Sequence, residues 1–258
     1  MISINLSFSD EILTVATTTS VYDSEILDIL VSAFEKKYNC KIKIIPVGTG
    51  QAIRLAKDGN VDMVLVHDKE LEEEFIRNGF GKKRYPVMFN YFVIVGPKSD
   101  PAGVKSSKNV VECFKKISDK RSYFVSRGDN SGTHRKEISI WKKISGVKFS
   151  NWYIESGSGM VHTLRIANEK GAYCFSDLST WITHKNELDN LCLLFEKDPA
   201  LLNEYSLIPV SPEKFRQVNF ELAEKFVEFF TSKEGQKLIG DFGKKEYGQP
   251  VFYPISIR

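Results

Sequence analysis

Arg127, Ser131, Gly132 and Thr133 stand in one short run, Arg127-Gly128-Asp129-Asn130-Ser131-Gly132-Thr133, between an apolar stretch and a helical pattern. These residue types share one chemistry. A guanidinium donates two parallel N–H bonds to an oxyanion and keeps its charge throughout the physiological range. Ser and Thr add hydroxyl donors, and a glycine at a helix start bares its backbone N–H. Thr17-Thr18-Thr19-Ser20 repeats the theme, with Thr18, Thr19 and Ser20 poised between a strand and a helix. Gly48-Thr49-Gly50 is a third strand-to-helix turn, where glycines allow close backbone approach and Thr49 supplies a hydroxyl. Many donors with little net charge suit a small oxyanion held by dipoles and one arginine. Each turn also has a plainer reading: a helix cap, a tight turn or, for Arg127, a surface pair with Asp129.

Other chemistries find less support. There is no Gly-Lys-Ser/Thr phosphate loop, no Gly-x-Ser-x-Gly nucleophile and no His-Glu-x-x-His; Gly157-Ser158-Gly159 lacks the third glycine of a dinucleotide fingerprint. No catalytic pair, metal or cofactor is therefore expected. His67, His134, His162 and His184 are scattered, and His134 reads as a surface residue. His67 or Asp68 could face a cleft at a strand end, although Asp68 reads first as a helix cap. Cys40, Cys113, Cys174 and Cys192 show no Cys-x-x-Cys spacing, which argues against structural zinc. Free, mostly buried thiols are the simplest reading, with Cys174–Cys192 as the pairing to test. Trp141 and Trp152 read as core, and Glu70–Glu74 as a solvated helix face.

These turns need a scaffold that puts strand ends next to helix starts. Strand and helix patterns alternate along most of the chain, which predicts an α/β fold with largely parallel sheets flanked by helices. Ile12–Ala16, Lys41–Val47 and Val61–Val66 read as strands. Ile26, Leu27, Leu30, Val31, Phe34 and Tyr38 recur at helical spacing, with Ser20, Asp23 or Ser24 as candidate caps. Arg84–Asn90 and Tyr91–Gly96 read as two strands before the linker-like Pro97–Gly103. The alternation restarts there and returns near Tyr205. The expected organisation is two-lobed, with residues 1–96 and 205–258 in a discontinuous first lobe and 97–204 in the second. Two crossing strands would join the lobes, and the oxyanion site would lie in the cleft between them.

Composition is compatible with this. Over 258 residues, 36 Lys+Arg oppose 33 Asp+Glu without a basic block, so nucleic acid is not an expected partner. No apolar run approaches the roughly 18 residues of a membrane span. Met1–Asp10 show no basic and apolar export-signal pattern.

With these residues in view, the sequence resembles the solute-binding components of tungstate ABC importers, related to molybdate- and phosphate-binding proteins of the type II periplasmic-binding fold. The resemblance rests on Thr17–Ser20 with Tyr22-Asp23-Ser24, Val47–Ala52, Val61–His67 and Ser126–His134. Gly159-Met160, Thr163-Leu164, Ala172-Tyr173 and Asn203-x-Tyr205 extend it along nearly the whole chain. It implies a two-lobed, non-enzymatic, monomeric receptor outside the cytoplasm that closes on tungstate or molybdate and delivers it to a membrane permease. Thr18, Thr19 and Ser20 would hold oxygens from one lobe, with Thr49 a weaker carry-over. Arg127, Ser131, Gly132 and Thr133 would act from the other.

The residues alone leave a phosphate or molybdate receptor, an enzyme on the same fold and a cytoplasmic sensor as alternatives. One physical distinction helps. Tungstate, molybdate and sulfate are fully deprotonated near neutral pH and need only donors, whereas hydrogen phosphate keeps a proton and wants an acceptor. An unpaired buried acceptor costs about 1–3 kcal/mol. Asp62, Asp68 or Asp129 facing the ligand would reverse the preference.

Overall fold

The computed structural model describes residues 11–255; the expectation on Met1–Asp10 and the end of the tail Val251–Ile257 lie outside them. The first half begins with β1 (Glu11–Thr18), the short α1 (Thr19–Asp23), α2 (Ile26–Tyr38), β2 (Cys40–Val47), α3 (Thr49–Lys57), β3 (Met63–Val66) and α4 (Lys69–Arg77). Ile26, Leu27, Leu30 and Phe34 form the buried stripe of α2. None of the expected caps serves that helix: its N-cap is Glu25, left-handed at φ 65°, because Thr19–Asp23 already turn as α1. β3 is buried along its whole length, as a central strand covered on both faces must be.

β4 (Tyr85–Pro97) is a single strand of 13 residues where two were expected. No turn former separates Asn90 from Tyr91, and both halves find partners. The chain continues through α5 (Val110–Lys120), β5 (Phe124–Ser126), α6 (Gly132–Trp141), β6 (Tyr153–Glu155), α7 (Met160–Lys170), β7 (Tyr173–Asp177), α8 (Leu178–His184) and β8 (Leu191–Phe195). It ends with β9 (Leu202–Pro209), α9 (Phe220–Thr231), α10 (Lys233–Asp241), α11 (Lys244–Tyr247) and β10 (Tyr253–Pro254).

The strands follow the order β2-β1-β3-β9-β4-β7-β5-β6, with β8 and β10 also on β4. Pairings of β1 with β2 and β3, and of β5 with β6 and β7, are parallel; those of β9 and β4 are antiparallel. Tyr85–Tyr91 pair with β9, whereas Phe92–Pro97 pair with β7 and β8. Phe92 and Ile94 pack with Phe114, Phe124, Trp141, Trp152 and Phe175, so Trp141 and Trp152 are core, as expected. Val64 and Val66 pack against Ala52, Ile53 and Phe75 at the other end of the sheet.

The Cys174–Cys192 pairing is excluded by register. Val95 pairs with Cys174 on β7, and Gly96 pairs with Cys192 on β8. Two strands flanking a third lie about 9–10 Å apart, beyond the reach of a disulfide. Cys113, Cys174 and Cys192 are free thiols. The acidic helix is only partly a solvated face: Glu72 is fully buried against Arg84, which also pairs with Glu204 at 2.6 Å. Among the described residues no helix is long and apolar enough to cross a membrane.

Candidate functional site

Four helices begin at one place. A cavity of about 470 Å³ is lined by Thr19 of α1, by Gly48, Gly50 and Gln51 at the start of α3, by Arg127, Asp129, Asn130 and Ser131 before α6, and by Gly159 before α7. Gly48 and Gly159 are N-caps without a side chain, so no side-chain oxygen covers the first N–H groups of α3 and α7. Ser131 caps α6 by accepting from the His134 N–H at 3.3 Å. Helix N-termini converging beside a guanidinium form an anion-binding arrangement by dipole and by unpaired N–H.

Thr19, Arg127 and Ser131 of the expected set line this cavity. Thr18 and Ser20 are buried beside it, their hydroxyls 3.2 Å apart. Thr17 is turned away, donating to the Leu65 carbonyl within the sheet at 2.9 Å. Thr49 and Gly132 meet each other: the Thr49 hydroxyl is buried without a partner and lies 3.3 Å from where a Gly132 Cβ would stand. Thr133 is buried in the first turn of α6, next to the cavity wall rather than on it. Gly48, Gly50, Gln51, Asn130 and Gly159 complete the lining and were not in the expected set. The Gly-x-Gly pairs before helices were the available signal, weak because a tight turn leaves the same trace.

The plainer reading of Arg127 is half right. Its Nε and Nη2 both donate to Asp129 Oδ2, at 3.0 and 2.5 Å, but the pair is not on the surface, since Arg127 is only 7% exposed. Burial alone would raise the Asp129 carboxyl; the Ser131 side chain and the Arg127 charge outweigh it and hold it below the ordinary range. His134 is likewise buried, contrary to expectation, because its Nδ1 accepts the Asn130 N–H at 2.9 Å and ties the left-handed residue Asn130 (φ 56°) to α6.

The three acids that could have supplied a ligand acceptor are committed elsewhere. Asp62 accepts from the Thr14 and Asn219 N–H groups at 2.6 and 2.7 Å. Asp68 caps α4 through Leu71 N–H, as expected, and takes Arg135 of α6 at 2.8 Å. Asp129 Oδ1 accepts the Ser131 N–H at 3.1 Å. His67 sits at the end of β3 against Tyr205 and Phe92, and burial pushes its imidazole below the usual value, so it is neutral near pH 7. With Asp68, it lines a second cavity of about 550 Å³ beside Gly132.

Behind the arginine, Glu137 is buried and accepts from Ser126 Oγ, Trp141 Nε1 and Tyr153 OH at 2.7, 3.0 and 2.8 Å. Burial pushes its carboxyl up to about 7 against these donors, and burial does the same to Glu72 despite Arg84. A carboxyl raised on folding contributes stability at low pH that is lost as pH rises through its folded value. At about 1.4 kcal/mol per pKa unit, each group can cost a few kcal/mol. The melting temperature of the ligand-free protein is therefore expected to fall between about pH 5 and pH 8. Glu137→Gln, which copies the protonated form, should flatten that slope in a thermal melt series; an unchanged slope would mean that Glu137 does not contribute to it.

A model of the PBP superfamily domain matches residues 8–234. The tungstate-binding protein TupA of Peptoclostridium acidaminophilum is 42% identical over 245 residues, covering 94% of this chain and 85% of that one. This chain belongs to the TupA-type tungstate-binding protein family within the PBP superfamily. The structure of TupA from Desulfovibrio alaskensis G20 superposes with a TM-score of 0.85 at 42% identity, covering 95% of this chain and 99% of that one. The crystal structure of the tungstate ABC transporter from Geobacter sulfurreducens gives a TM-score of 0.83 at 44% identity over 90% of this chain and 99% of the other. As in these TupA-type relatives, the mixed α/β scaffold is that of a solute-binding protein.

Proposed function

We propose that this TupA-type protein is an extracytoplasmic receptor that captures tungstate, with molybdate its nearest competitor, and hands it to an ABC permease. The observation that carries this reading is the cavity ringed by four helix starts and Arg127, with the carboxylate in its lining, Asp129, already bonded within the chain. Such a site rewards a fully deprotonated tetrahedral dianion. It breaks no bond and calls for no cofactor. Thr18, Thr19, Ser20 and Thr49 would serve from one lobe and Arg127, Ser131, Gly132 and Thr133 from the other. The change of partners within β4, between Tyr91 and Phe92, supports a two-lobed division a few residues before the 97 boundary drawn from the sequence. The Asp68–Arg135 pair would then bridge the lobes on closure.

Calorimetric titration of dialysed protein with tungstate, molybdate, sulfate and phosphate tests the reading. Tight tungstate binding, weaker molybdate and silent phosphate are expected. Phosphate binding best would place an acceptor in the cavity and overturn the selectivity argument; binding of none of the four would favour a different function for the cleft.

A further inference from the structure

Among the described residues, Asp129 is the one acidic side chain lining the cavity, and it is bonded on both oxygens. Oδ2 takes the Nε edge of Arg127, and Oδ1 takes the Ser131 backbone N–H. The carboxylate thus joins the guanidinium to the cap of α6. A guanidinium has five N–H donors in a rigid plane, so holding it by Nε and one Nη2 hydrogen leaves three donors, the second on Nη2 and both on Nη1, directed away from Asp129. The loop that carries both residues is itself fastened. Gly128 is left-handed (φ 63°), with Glu155 so close that a Cβ would lie 2.8 Å from it. Ser126 Oγ accepts the Gly128 N–H at 3.3 Å while donating to Glu137.

We propose that Asp129 is a specificity-determining positioning residue: it fixes the free edge of Arg127 toward the anion and keeps its own acceptors occupied, so that its carboxylate is not left facing the anion as a free acceptor. This rests on the oxyanion-receptor reading above. Two consequences separate Asp129 from a mere loop staple. Without it, the guanidinium is no longer held to one tetrahedron size, so discrimination among tetrahedral oxyanions narrows. Asn at this position has a single acceptor oxygen for two sets of donors, so its amide N–H faces either the Arg127 N–H groups or the Ser131 N–H, a donor against a donor, and the tie between the guanidinium and the α6 cap is lost.

The test titrates the wild type, Asp129→Asn and Asp129→Glu with tungstate, molybdate, sulfate and phosphate, with a thermal melt of each ligand-free protein. For D129N, tungstate affinity should fall about tenfold and the tungstate-to-sulfate ratio should shrink, with the ligand-free melting temperature lowered because Arg127 is left without its partner. D129E keeps the charge but displaces it, and should show a smaller loss in the same direction. Tighter tungstate binding by D129N would show that Asp129 competes with the ligand, and an unchanged affinity and ratio would show that it positions nothing; either overturns the proposal. Should D129N fail to fold, D129E decides: wild-type affinity and ratio would overturn it. Phosphate binding by the wild type that D129N loses would make Asp129 a ligand acceptor and also overturn it. A wild type that binds none of the four anions would instead defeat the receptor reading.

Discussion

Replacing Arg127 with alanine is expected to weaken tungstate binding by about a thousandfold, about 4 kcal/mol. Two losses combine. The anion forfeits charge-assisted hydrogen bonds, worth about 1.5–3 kcal/mol each in a buried setting. Asp129 also loses the partner that holds both Nε and Nη2 against its Oδ2, and it remains as a carboxylate on the cavity wall, facing a dianion. Removing one member of a buried ion pair costs more than the pair contributes, because the survivor is left uncompensated. The double variant Arg127→Ala with Asp129→Ala should therefore bind more tightly than the single one. Calorimetry on the pair of variants checks this. Wild-type affinity in Arg127→Ala would remove the arginine from the site.

Gly132→Ala should weaken binding by about ten- to a hundredfold through closure rather than contact. A Cβ there would lie 2.8 Å from His67 Cε1, 3.2 Å from its Nε2 and 3.3 Å from the Thr49 hydroxyl. The imidazole cannot retreat easily, since Tyr205 packs against it with ring centroids 5.0 Å apart. Gly132 is the first residue of α6 and alanine is the better helix former, so the helix itself gains. If the lobes separate without ligand, the methyl group then meets nothing. The expected result is a weaker dissociation constant with an undiminished melting temperature of the ligand-free protein. A melting temperature several degrees lower would show that the His67–Gly132 contact belongs to the permanent fold. An unchanged affinity would show that the two elements need not approach to bind the anion.

Strand and helix alternation, the core roles of Trp141 and Trp152, the Asp68 cap and the donor-rich turns around Thr18, Thr49 and Arg127 were all legible in the residue order. The physical reason is locality: apolar periodicity, caps and strand-to-helix turns are written within a few residues of where they act. The resemblance to tungstate receptors draws on the same local runs. What the residue order could not decide depends on partners distant in the chain. Arg84–Gly96 reads as two strands until β9 and β7 supply partners to both halves of β4. Glu72 reads as solvated until Arg84, the residue before β4, pairs with it in a buried setting. Gly159, unremarkable as a second Gly-x-Gly, acquires meaning only because α7 starts beside α1, α3 and α6. The donor types and the Arg127–Asp129 pair were set by the sequence, but the convergence of the donors on one cavity, and the engagement of Asp62 by Thr14 and Asn219 and of Asp68 by Arg135, were decided by long-range packing.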